Sequence, residues 1–158
     1  MIEIHPHLFV GNDVDCRTAF NNGFAIVHAC KDPCHRRAVG YQQRALRSDH
    51  PYYLTYHTPQ NLFLNIIDPD KPMFLPPLFQ ESLEFIEEEI KTRKVLIHCN
   101  KGESRAPSIA VLYLAKRAKV LPEDSFKEAA LEFRKTYPCY APGLGIQRYL
   151  GENWERFA

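Results

Sequence analysis

The stretch Val95-Leu96-Ile97-His98-Cys99-Asn100-Lys101-Gly102-Glu103-Ser104-Arg105 decides how this chain is read. Its aliphatic, β-branched start reads as a buried strand that ends in His-Cys. A short loop follows, and a helical pattern opens at Arg105. In α/β sheets, ligands bind at the carboxyl ends of the strands, which is where this spacing puts Cys99. A loop curled between a strand and a helix N-terminus turns backbone N–H groups inward and adds the helix's partial positive charge. Asn100, Lys101, Gly102, Glu103 and Ser104 form that loop, and Gly102 supplies the backbone freedom it needs. The planar guanidinium of Arg105 suits two oxygens of a phosphate. The same field favours a thiolate at Cys99 and so makes it a candidate nucleophile. His98 precedes Cys99 on a strand, where successive side chains alternate, so it is expected to orient the loop from behind rather than act as a base.

The pattern continues outward in the same alternation. Ile2–Ile4 and Leu8–Val10 read as short strands, Asp13–Phe20 as a short helix and Phe24–His28 as a buried strand. Within residues 31–60, Pro33–Ser48 carries Arg36, Arg37, Arg44 and Arg47 with few apolar residues and reads as a surface insert, partly helical. Asn61–Ile67 reads as a second buried strand, stopped by Asp68-Pro69-Asp70. Pro77–Thr92 has proline at its start and Phe79, Leu83, Ile86 and Ile90 at helical spacing. Helices are also predicted from Pro107 to about Lys119, from Pro122 and from Pro142. Strands alternating with helices predict an α/β fold with a central, mostly parallel sheet flanked by helices.

With 158 residues, 45% of them hydrophobic and including 10 Phe and 8 Tyr, the chain is expected to form a single domain, 1–158, with a sizeable core. A formal net charge of +1 gives no global attraction for nucleic acid or membranes, so neither is expected as a partner. Residues 1–20 lack the basic start and apolar run of a signal peptide, and no apolar run reaches membrane-spanning length. Five cysteines without regular spacing argue against a secreted disulfide framework and for a reducing, cytoplasmic setting.

The His-Cys-x5-Arg run is the signature of cysteine-dependent phosphatases, and the surrounding chain resembles the dual-specificity protein tyrosine phosphatases. The resemblance extends over Ile4–Gly11, the Phe79–Ile90 helix, the loop and Tyr137–Leu150. It implies a protein tyrosine phosphatase-like fold and hydrolysis of phosphate monoesters, on protein tyrosine, serine or threonine, through a phosphocysteine intermediate. Cys99 is then the nucleophile, and Arg105 with the loop binds the phosphate. No metal or cofactor is implied, and the partner implied is a phosphorylated protein or another phosphomonoester substrate; the chain itself is expected to be a monomer.

The family mechanism also requires a general acid on a loop about thirty residues before the cysteine. Asp68 meets that distance and directly follows the strand; Asp70 is the alternative, and an Asx turn around Pro69 accounts for both without chemistry. One position departs from the family: Ala106 stands where Ser or Thr usually follows the arginine. That hydroxyl is thought to stabilise the leaving thiolate, so its absence implies slower hydrolysis of the intermediate, with Ser104 or Ser108 as possible substitutes. In some related phosphatases a cysteine at the position of Cys30 forms a reversible disulfide with the nucleophile; core packing is the alternative here.

Three further features have plain alternatives. Lys101 and Glu103 either tune substrate attraction or form a solvated rim. The basic residues Lys31, Arg36, Arg37, Arg44 and Arg47 either recruit an acidic substrate or form a solvated face. His28, Cys30, Cys34 and His35 cluster in sequence, but their spacing fits no strong zinc pattern. Competing functions are the same chemistry on a phosphoinositide, a phosphoglycan or an RNA 5′-phosphate, and a phosphate-binding module without turnover.

Overall fold

The structure is a computed structural model that describes residues 1–158. Its elements follow in the order β1 (Ile2–His5), β2 (Leu8–Gly11), α1 (Asp13–Asn21), β3 (Ala25–His28), an irregular helical turn (Lys31–His35) running into α2 (Arg36–Val39), β4 (Thr55–Thr58), β5 (Asn61–Leu64), α3 (Pro76–Glu89), β6 (Val95–His98), α4 (Arg105–Lys116), α5 (Phe126–Phe133) and α6 (Leu144–Asn153). The six strands make one sheet in the order β1-β2-β6-β3-β5-β4. The four inner strands are parallel, and the two edge strands run antiparallel to their neighbours. This is the α/β architecture expected from the sequence.

The aliphatic runs of β3 and β6 follow from this placement. A parallel strand covered on both faces needs apolar side chains on both, and every residue of β3 and β6 is buried. Val10, Val27, Leu62, Leu64, Val95 and Ile97 point to one face, into the main core with α3, α4 and α6. Ile26 and Leu96 point to the other, where Ala19 of α1 packs on them. The main core is strongly aromatic: the ring of Phe79 lies 5.4 Å from Tyr149 and 5.9 Å from both Phe74 and Phe157, tying α3 to the C-terminal segment.

One element was not read from the sequence and one expectation needs correction. Beyond the insert, residues 55–58 form a strand, β4, that pairs with β5 through Thr55↔Leu64 to Thr58↔Asn61. Its Thr-Tyr-His-Thr sequence lacks an apolar face because it forms the partly solvated sheet edge. The helix expected from Pro122 starts at Phe126, where the hydroxyl of Ser125 accepts from the Glu128 amide at 3.2 Å and caps the first turn.

Phe79 is completely buried. Phe79→Ala is expected to lower unfolding stability by about 3–5 kcal/mol in urea denaturation, through lost burial and the cavity left behind.

Candidate active site

The site lies at the carboxyl end of β6, between the ends of β2 and β3. The Cys99 amide donates to Gly11 O at 3.4 Å, and the Ala29 amide donates to His98 O at 2.8 Å. Strand alternation separates the two side chains of His98-Cys99. Cys99 belongs to the main core face and is 2% exposed, while His98 turns to the face covered by α1.

Beyond Cys99 the loop is held in place by polar contacts from four directions. The Asn100 amide group donates to Asp13 Oδ2 at 3.0 Å and to Asp32 O at 2.9 Å. Gly102 has φ +75°, and a Cβ there would sit 2.9 Å from Gly11 O and 3.2 Å from the Tyr137 hydroxyl, so only glycine fits. Tyr137 donates to Gly102 O at 2.6 Å; burial pushes its phenol pKa up, which keeps the proton available for that bond. The Ala141 amide reaches Glu103 O at 2.8 Å, and the Gly143 amide reaches Ser104 Oγ at 2.8 Å. The segment from Tyr137 to Gly143 thus braces the whole outer side of the loop.

Ser104 stands at the N-cap of α4 but makes no side-chain cap bond, because its hydroxyl accepts from Gly143. The first-turn amides of α4 therefore have no side-chain cap, and uncapped helix N-termini are natural anion sites. Arg105 is aimed by two acceptors, Ile66 O at 3.2 Å and Asn100 Oδ1 at 2.5 Å.

Asp68, Cys99, Asn100, Lys101, Glu103, Ser104, Arg105 and Ala141 line one cavity of about 370 Å³. Asp68 reaches it because a side chain is missing across from it: a Cβ on Gly143 would overlap the Asp68 carboxylate. Asp70 does not line this cavity. The three residues singled out for chemistry, two from the 99–105 loop and one from the segment after β5, are brought together.

No protein-family model matches the chain. A curated relative, the dual specificity protein phosphatase PHS1 of Arabidopsis thaliana, is 32% identical over 85 residues, which is 53% of this chain and 9% of that protein. The chain therefore spans under a tenth of that relative's length. The solved structure of DUSP15 superposes with a TM-score of 0.66 at 20% identity, covering 98% of this chain and 86% of that one. The chain has the dual-specificity phosphatase fold. The Yvh1 phosphatase domain from Chaetomium thermophilum, 24% identical, shares the fold with a TM-score of 0.61 over 95% of this chain and 91% of that one. The resemblance first read from the loop and its flanks is borne out by these likenesses.

Within the phosphatase fold the other candidates separate. Ser108 is fully buried and shares a hydrogen bond with the Tyr140 hydroxyl at 2.8 Å, so it does not replace the hydroxyl missing at Ala106; Ser104 lines the cavity and keeps its own proton to donate. Cys30 is buried, and its thiol meets Cys34, which lowers its pKa. That places Cys30 with residues of the α1 face rather than in the cavity. His35 turns into the insert, bonded to the Tyr41 hydroxyl at 2.9 Å and Tyr52 O at 2.8 Å, which removes it from the four-residue cluster read in sequence.

The basic insert is largely self-satisfied. Arg36 pairs with Asp32, donates to Gln43 O and Arg44 O and stacks on Tyr41; Arg47 pairs with Asp49; Lys31 donates to Arg44 O. Sequence reasoning missed the braces Tyr137, Tyr140 and Asn100–Asp13, whose only signal was their membership of matched flanks or of the loop itself.

Gly102→Ala forces a side chain into a left-handed backbone against Gly11. Displacing a positioned group by about 1 Å can cost up to about a hundredfold. Orthovanadate affinity, measured by calorimetry, is expected to fall by at least about tenfold in this variant.

Proposed function

We propose that this chain is a cysteine-dependent phosphatase that hydrolyses phosphate monoesters on proteins through a phosphocysteine intermediate. One observation carries the reading: Cys99, Arg105 and Asp68 converge on a single cavity beside the uncapped N-terminus of α4. The Arg105 fork and the loop amides bind the phosphate dianion and offset charge on its equatorial oxygens. The Cys99 thiolate attacks phosphorus; Asp68, on the opposite rim, protonates the leaving oxygen. Asp68 as carboxylate then takes a proton from the water that attacks the phosphocysteine, releasing inorganic phosphate and the thiolate. The reading extends to phosphorylated tyrosine, serine or threonine as substrate, to a chain acting as a monomer, and to the cytoplasm, where five free thiols persist.

Cys99→Ser is expected to abolish hydrolysis of p-nitrophenyl phosphate while orthovanadate-sized oxyanions still bind. Asp68→Asn should lower kcat by about 10²–10⁴ and remove the limb of the pH profile that requires a protonated acid. Wild-type activity in both variants would reject these roles.

One observation bears on the rate of the second step: Ala106 is fully buried with no hydroxyl, and Ser108 is committed to Tyr140. A hydrogen bond to a charged group contributes about 1.5–3 kcal/mol, so Ala106→Ser is expected to speed breakdown of the intermediate about ten- to hundredfold. Rapid-quench kinetics should give a product burst in the wild type that shrinks in Ala106→Ser. A linear wild-type time course with fast turnover would count against a slow second step.

A further inference from the structure

Behind the phosphate loop, on the sheet face covered by α1, two cysteines and two histidines meet. The parallel register pairs His28 with His98 directly across β3 and β6. Both side chains share the parity of Ile26 and Leu96, so both point towards α1. Cys16 comes down from α1, and the turn over Lys31–His35 folds Cys34 back over the same point. One ligand atom from each of the four residues lies within 4.8 Å of all the others.

We propose that Cys16, His28, Cys34 and His98 form a tetrahedral Zn²⁺ site that fixes the Lys31–Val39 insert to the back of the phosphate loop. Zinc bonds of about 2.3 Å to sulfur and about 2.0–2.1 Å to nitrogen, at tetrahedral angles, require sulfur–nitrogen separations of about 3.5 Å and a nitrogen–nitrogen separation of about 3.3 Å. The structure has Cys16 Sγ 3.6 Å from His28 Nδ1, Cys34 Sγ 3.8 Å from His98 Nε2, and the two ring nitrogens 2.9 Å apart. Small adjustments bring all four to bonding distance.

The outer contacts select the tautomers a metal needs. Asn61 donates through Nδ2 to Thr58 Oγ1, which turns its carbonyl oxygen towards His28 Nε2 at 2.9 Å. His28 therefore carries its proton on Nε2 and presents a lone pair at Nδ1. His98 Nδ1 faces two acceptors, Cys99 O at 3.3 Å and Asp13 Oδ1 at 3.5 Å, so its lone pair is on Nε2. The two ring nitrogens lie 2.9 Å apart in a buried place, close enough to share a proton, and a cation between the rings would take that proton's place. Asp13 Oδ1 is itself buried without a hydrogen-bond partner and adds negative charge beside His98. Carboxylate and carbonyl partners of this kind orient metal-bound histidines.

The donor set selects the metal. Two thiolates and two imidazoles in a tetrahedron suit zinc. Binding releases one proton from each thiol, and two thiolates with Zn²⁺ sum to zero charge, so the metal and its four ligands carry no net charge of their own. Four protein ligands leave no open position, which marks a structural site rather than a catalytic one. Access exists: Cys16, Cys34 and His98 line a cavity of about 310 Å³ that also includes Asp13 and Arg37. The site is separate from the phosphatase reading, since its ligands and Cys99 point to opposite faces of the sheet.

The test uses the full chain carrying Cys99→Ser, so that the nucleophile cannot act as a ligand. Purified from zinc-supplemented cells, it is expected to hold one zinc per chain by elemental analysis. Replacing zinc with Co²⁺ should give the intense visible bands of tetrahedral cobalt together with thiolate-to-cobalt charge transfer. Cys34→Ser and Cys16→Ser should each lower the cobalt bands at least about tenfold, whereas Cys30→Ser should retain them, although Cys30 touches Cys34. Chelation should lower Tm in the parent and leave Tm unchanged in Cys34→Ser. A folded parent chain that takes up no stoichiometric zinc and shows no tetrahedral cobalt spectrum would overturn the proposal. So would metal retained in both cysteine variants, or a Cys16–Cys34 disulfide in protein prepared under reductant.

Discussion

Everything at the candidate-site end of this molecule depends on β6 being paired in parallel on both sides. With β2 on one flank and β3 on the other, the strand has no freedom to slide or rotate, because a one-residue slip would invert every side chain. Its last residues are therefore delivered with fixed handedness: His98 towards α1, Cys99 towards α4. The backbone beyond has only one way to go, over the end of β2, where Gly11 O leaves room for Gly102 and for nothing larger. The phosphate cradle is thus less a flexible loop than the continuation of a clamped strand, and its polar braces hold a path the sheet has already chosen.

The electrostatics follow the same plan. Arg105 is directed by a main-chain carbonyl and an amide oxygen rather than by a carboxylate, so its charge is not neutralised by a partner and is free for an anion. Ser104, placed where a helix cap is expected, spends its oxygen on Gly143 instead and leaves the first turn of α4 open. Asp68 reaches the cavity because the residue that caps α6, Gly143, has no side chain. These three arrangements each give up a local satisfaction that an ordinary helix start or ion pair would take, as is common where a site must be ready for a ligand.

Much of this was legible in the sequence, for reasons that differ by element. Buried parallel strands read as unbroken apolar runs, so β3 and β6 stand out. The loop is legible because nucleophile, glycine and arginine are neighbours in the chain. Asp68 was placed by the resemblance, about thirty residues before Cys99, and by a strand read as far as Ile67 that in fact ends at Leu64. By contrast β4 is a polar edge strand, recognisable only from its partner. The start of α5 was marked by Ser125 and Glu128, a capping pattern outweighed by the more conspicuous Pro122. The cysteine–histidine cluster was misread because nearness in sequence drew His35 into it. The real grouping joins residues 16, 28, 34 and 98 through sheet register, and no local spacing motif encodes register.

The bracing of the cradle by Tyr137, Ala141 and Gly143 has a consequence for the order in which the chain is made. The ribosome delivers Cys99 and Arg105 well before it delivers the segment that holds them. During that interval Cys99 exists, but its loop lacks the contacts on Gly102, Glu103 and Ser104, and Asp68 has no surface to rest against. Competence therefore arrives late and all at once, when the last helices dock. A nascent or prematurely ended chain has Cys99 and Arg105 without the contacts that shape the cavity around them.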